Sequence, residues 1–152
     1  MDERIRILDT DTLSLVQREH PLVVDRLKAV PRKQRGITVI SLEEQLRGRL
    51  AQIAKAKGEE ELRRAYMLLE QTHRGLCKIQ KFAFDAKAQE KFKELKRAKI
   101  RIGTLDLRIA AIALSNNAIL VTRNRQDFAK IPELDLEDWS IAVEPALPHE
   151  KR

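Results

Sequence analysis

The run Ala118-Ile119-Leu120-Val121-Thr122 is apolar without the alternation of a half-exposed strand. A strand of this kind is covered on both faces, which implies a parallel sheet held between two layers of helices. The rest of the chain fits that requirement. Residues 4–9 read as a strand ending on a carboxylate, followed by a helical stretch at 12–30 that Pro21 cuts and Pro31 stops. The β-branched segment 36–41 predicts a second strand, and a helix follows from Ser41 to Lys57. Gly58 breaks that helix, and a second spans 59–74. Residues 79–84 predict a third strand, Asp85 caps a helix ending near Arg97, and Gly103-Thr104 opens a helix that covers Asp106 to Ser115. After 118–122 a last strand is expected at 134–136. Strands alternating with helices predict an α/β protein, a three-layer α/β/α sandwich around a mostly parallel sheet of four to five strands. With 152 residues the chain holds one such core. Residues 1–143 are expected to form the domain, and 144–152, with Pro145 and Pro148, a loose tail.

Charge narrows the partner. Lys and Arg number 30 against 23 Asp and Glu, a net charge of +7 that favours a polyanion, nucleic acid ahead of an anionic membrane. Six aromatic residues are too few for a surface that stacks bases on rings. Cys77 is alone and reads as a core residue, and three scattered histidines supply no zinc set. The five glycines lie too far apart for a phosphate loop. The longest uncharged run, 109–122, is too short to span a bilayer, and Met1–Arg6 lacks the apolar core of a signal peptide. The expected compartment is the cytoplasm, with no membrane partner.

In an open parallel sheet, ligands bind beyond the carboxyl ends of the strands. The chain collects acids there: Asp9 after the first strand, Glu44 in the first turn of the helix after the second, Asp106 before the strand at 118–122, then Asn124 and Asp127 behind it. Acids gathered from distant segments require a cation, and hard oxygen donors select Mg²⁺, with Mn²⁺ as the alternative. Each acid also has an ordinary explanation. Ser41 and Glu44 match a capping box, Asp106 suits a helix dipole, Asp127 a turn and Asp11 a helix cap. Asp9 is harder to explain that way, because a carboxylate ending a buried strand needs a partner. Thr10 and Thr122 are placed to hydrogen-bond the carboxylates or water.

Four blocks carry a family resemblance. Leu8-Asp9-Thr10-Asp11-Thr12-Leu13-Ser14, the segment Ile37 to Gly48, Ile102-Gly103-Thr104-Leu105-Asp106 with the helix it opens, and Leu120 to Phe128 resemble, in order, the blocks of PIN-domain nucleases, specifically the VapC toxins of toxin–antitoxin pairs. Leu134 to Trp139 resembles the usual close, so the likeness covers residues 4–140. It implies a Mg²⁺-dependent endoribonuclease in which Asp9, Glu44 and Asp106 hold the metal that activates water against an RNA phosphodiester. It also implies a homodimer neutralised by a cognate antitoxin, with the hairpin 42–76 as a groove for an antitoxin helix. Two departures stand out. Asp11 replaces a common Asn, and the fourth acidic position falls on Asn124, leaving Asn124 or Asp127 to orient water or complete the site. Lys96 and Arg97, in a run with six basic residues among positions 91–101, and Arg123 are the candidate RNA contacts.

Two other readings compete. Asp9-Thr10-Asp11-Thr12 after a strand also resembles the haloacid dehalogenase phosphatases, with Asp9 as nucleophile and Asp11 as general acid. That reading leaves Glu44 without a role. The third is a basic domain that binds RNA without cutting it.

Overall fold

The computed structural model describes residues 2–142, and the tail expected at 144–152 lies outside them. Among the described residues one sheet contains β1 (Arg6–Leu8), β2 (Arg35–Thr38), β3 (Lys81–Phe82), β4 (Ile119–Val121) and β5 (Leu136–Glu137). The spatial order is β3-β2-β1-β4-β5, and every pairing is parallel. The helices are α1 (Thr10–Gln17), α2 (Pro21–Lys28), α3 (Val39–Lys55), α4 (Gly58–Cys77), α5 (Ala86–Arg97), α6 (Thr104–Ser115) and α7 (Arg125–Phe128). The expected α/β/α architecture is therefore present with five strands.

Side-chain alternation along the strands divides the core. Ile7 and Leu120 face Ala88 and Leu95 of α5 and the buried residues of α6, from Leu107 to Ala113. Leu8, Ile37 and Val121 face the opposite layer, with Leu13 of α1, Val23 of α2, Leu76 of α4 and Trp139. The chain winds outward from β1 to β2 and β3, then returns to lay β4 on the other side of β1. That reversal opens a crevice at the carboxyl ends of β1 and β4, the position where such sheets bind ligands.

Local boundaries depart from the expected ones for identifiable reasons. β2 ends at Thr38 rather than Ser41, because the Thr38 hydroxyl accepts the Ser41 N–H at 3.2 Å and caps α3. Val39 and Ile40 enter the helix despite their β-branched side chains, since Ile40 gains burial in the core. Ser41 is thus not an N-cap. Glu44 sits in the second turn of α3, not the first, and the expected capping box does not form. The third strand shrinks to two residues because Ile79 stays with the end of α4, its N–H donating to the Leu76 carbonyl. Cys77 is exposed rather than in the core, because α4 buries the stripe Ala65, Thr72 and Leu76 and turns Cys77 away from it. The role of Thr38 is testable: Thr38→Val is expected to lower stability by about 1 kcal/mol in urea unfolding. An unchanged midpoint would mean that its hydroxyl does not anchor α3.

Candidate functional site

An open cavity of about 420 Å³ lies over the crevice, lined by Asp9, Thr10, Asp11, Glu44, Asp106, Arg123 and Asn124. The chain thus brings Asp9 from the β1–α1 junction, Glu44 from α3, Asp106 from the first turn of α6 and Asn124 from the segment after β4 to one place. Asp127, Lys96 and Arg97 do not line it.

Asp9 is only 5% exposed. One of its oxygens accepts the Thr12 N–H at 2.8 Å, which makes Asp9, not Asp11, the N-cap of α1. Burial pushes its carboxyl above the usual range, and hydrogen bonds from Thr122 and Thr12 pull it partly back. Glu44 accepts a hydrogen bond from the Thr10 hydroxyl, which in turn lies 2.8 Å from Ser41 Oγ. Ser41 is fully buried and supports this pair from behind. The capping-box reading concealed that role, although Ser41 and Glu44 stand three residues apart on one helix face.

Asp106 is half-buried, and its carboxyl is pushed up to about 6, first by desolvation and then by the charges of Glu44, Asp9 and Asp127. Among the described residues, no three of these acids close into a ready-made cage. Oxygen donors that share a cleft, repel one another and lack a compensating cation fit a hard divalent ion such as Mg²⁺ or Mn²⁺. They do not fit zinc, which favours nitrogen and sulfur ligands.

Asp11 and Arg123 close the rim with two parallel bonds, Nε to Oδ2 at 2.8 Å and Nη2 to Oδ1 at 2.9 Å. The guanidinium holds the Asp11 carboxyl below its usual range, so the charge added at this position is neutralised locally. This pair occupies Arg123, a candidate RNA contact. It also makes Asp11 a poor general acid, which counts against the phosphatase reading. Asn124 Oδ1 accepts the Asp127 N–H at 3.2 Å to cap α7, and its Nδ2 donates to Asp127 Oδ2 at 3.1 Å. Asn124 lines the cleft, and Asp127, outside it, engages both polar atoms of the Asn124 amide and adds charge near Asp106. Lys96 and Arg97 are exposed on the last turn of α5, with Lys96 over the Phe92 ring at 5.6 Å and Arg97 3.6 Å from Glu90.

The chain matches the PIN domain over residues 6–134. It belongs to the PIN domain family. A curated relative, Ribonuclease VapC2 of Rickettsia felis, is 48% identical over 46 residues, 30% of this chain and 34% of that protein. The match thus spans about a third of the curated relative. The crystal structure of VapBC2 from Rickettsia felis, bound to a DNA fragment from its promoter, shares 27% identity and a TM-score of 0.68, covering 89% of this chain and 98% of that one. A toxin–antitoxin complex from Klebsiella pneumoniae shares the fold at 23% identity and TM-score 0.64, covering 85% and 94%.

Proposed function

We propose that this PIN-domain protein is a divalent-metal-dependent endoribonuclease of the VapC kind, cutting RNA phosphodiesters. The observation that carries the reading is the convergence of Asp9, Glu44 and Asp106 in one cleft, with Asp106 pushed to about 6 first by desolvation and then by the neighbouring acids. The ribonuclease named among its relatives supports the same chemistry. Asp9, Glu44 and Asp106 hold the metal, Mg²⁺ first and Mn²⁺ as alternative. When bound, such an ion polarises a phosphate oxygen and lowers the pKa of a water. The Thr10 hydroxyl orients Glu44, the α1 N-terminus fixes Asp9, and Asn124 presents its side chain at the far wall to position water, with Asp127 steadying it. The domain is taken as residues 1–143.

The test is incubation of the purified protein with structured RNA. Cleavage is expected with Mg²⁺, lost in EDTA and restored by added Mg²⁺ or Mn²⁺. RNA binding that persists without cleavage under all these conditions would leave a basic binding module, and release of phosphate from small phosphoesters would restore the phosphatase.

The partners follow from the same reading. The hairpin of α3 and α4 exposes Leu50, Leu62, Tyr66 and Met67, apolar surface suited to a cognate antitoxin helix. A homodimer and a cytoplasmic setting belong to the proposal as well, and no helix among the described residues is long and apolar enough to cross a membrane. Lys96 and Arg97 draw the RNA backbone towards the cleft. Reversing both to Glu is expected to weaken RNA binding and to reduce the slope of log affinity against log salt by about 2. A slope equal to that of the unaltered protein would remove this end of α5 from the interface.

A further inference from the structure

A second cavity, of about 400 Å³, opens on the other helical layer and shares no lining residue with the metal cleft. Its floor is Leu8 of β1, Leu13 of α1 and Ile37 of β2, side chains that belong to the sheet's own core. Those three are already covered, at 3%, 1% and 1% exposure, so the accessible apolar surface of the cavity lies above them. Val16, Leu27 and Ile79 continue the apolar wall. The rim is entirely different in character: Arg32, Lys33, Arg35 and Lys78 surround the mouth, and among the described residues none of the four makes an ion pair with an acid.

The rim is also built rather than loose. Arg35 Nε donates to the Val30 carbonyl at 2.8 Å, which anchors its guanidinium at the mouth. The Gln80 side-chain amide donates to the carbonyls of Lys33 and Arg35, at 3.3 and 3.1 Å, and ties the basic segment to the start of β3. An apolar-walled cleft of this volume beside a few fixed polar groups is the form of a small-molecule site. Four unpaired cations beside that cleft select the sign of the head group.

We propose that this cavity binds a small amphipathic anion, its aliphatic tail along Val16, Leu27 and Ile79 and its carboxylate or phosphate head among Arg32, Lys33, Arg35 and Lys78. The shared chemistry is a single-tailed anion, and the two head groups are separable by experiment.

The full chain is titrated with decanoate, decyl phosphate and decanol, all below micelle-forming concentration, and followed by calorimetry and by thermal shift. Saturable one-to-one binding of at least one anion is expected, with decanol weaker by about tenfold or more. Whichever anion binds more tightly identifies the head group. Arg32→Ala/Lys33→Ala, at exposed positions, is expected to weaken the anion by about tenfold without changing the melting temperature of the unliganded protein. Val16→Phe, which fills the wall, is expected to abolish binding of the tail. Decanol binding as tightly as the anions, no saturable binding, or affinity unmoved by the double alanine variant would each overturn the proposal. So would a monomer–dimer equilibrium that displaces the ligand as protein concentration rises, because a second copy would then own this face.

Discussion

Asp106→Asn is expected to abolish RNA cleavage and, in the absence of metal, to make the protein more stable. Both effects have one origin. Asp106 is held in a half-buried position beside Glu44, Asp9 and Asp127, and this raises its carboxyl from 3.8 to about 6. Above pH 6 the carboxylate is ionised in the folded protein at a cost that the unfolded chain does not bear. Between about pH 4 and 6 the folded state binds more protons than the unfolded state, so stability falls as pH rises through that window. A shift of about two units corresponds to ~2.7 kcal/mol. Asp106 is half exposed, and solvent screening reduces the recoverable part to about 1 kcal/mol. For a chain of this length that is a rise of about 3 °C in Tm. The gain is expected in EDTA at pH 7.5 and to vanish near pH 4, where both proteins carry a neutral group. Loss of a carboxylate proposed to hold the metal is expected to lower cleavage by more than about a hundredfold, beyond what supporting residues around a metal contribute. Added Mg²⁺ should stabilise the unaltered protein and leave the variant unmoved. A variant that melts at the same temperature as, or below, the unaltered protein at pH 7.5 without metal would mean that the acids do not strain one another.

How much of this was legible in the sequence depended on the range of the interaction. The run 118–122 required cover on both faces, and the structure supplies it: Leu120 packs against the layer of α5 and α6, Val121 against that of α1 and α2. Asp9 was legible for a local reason, since a charge at the end of a buried strand needs a partner, and it has one in the Thr12 N–H. Glu44 was legible as a residue but not in its register. Whether Ser41 or Thr38 caps α3 depends on where β2 stops pairing with β3, at Thr38 opposite Phe82, and that is set by a strand more than forty residues away. The Asp11–Arg123 pair joins residues 112 positions apart and leaves no periodic trace. α7 is four residues long, too short for any hydrophobic period, and only the Asn124 cap marks it. Cys77 was misplaced because one residue of helical phase separates it from the buried Leu76.

Gly36→Ala is expected to be among the most destabilising single substitutions in the chain, at about 3 kcal/mol by urea unfolding. Gly36 lies in β2, and a Cβ there would stand 2.4 Å from the Gln80 carbonyl oxygen and 2.9 Å from Phe82 Cε2. The requirement is for space: the backbone of the approach to β3 passes where a side chain would begin. The Gln80 carbonyl cannot retreat cheaply, because it accepts the Ile37 N–H at 3.0 Å. Its own side chain is tied to the Lys33 and Arg35 carbonyls, so displacement there strains the segment before β2 as well. The methyl group therefore has to push apart β2 and β3, a pairing held by only two registered positions, Ile37 with Lys81 and Thr38 with Phe82. Thr38 caps α3, so the disturbance is transmitted to the helix that carries Glu44, and metal-dependent cleavage should fall together with stability. Gly48 provides the contrast. It is exposed within α3, and a Cβ there meets nothing within 4 Å. Gly48→Ala is expected to gain up to about 1 kcal/mol from helix propensity alone. Opposite signs for the two substitutions would separate steric contact at β2 from a general response to glycine replacement; a Gly36→Ala protein with an unchanged unfolding midpoint would mean that the β2–β3 edge yields without cost.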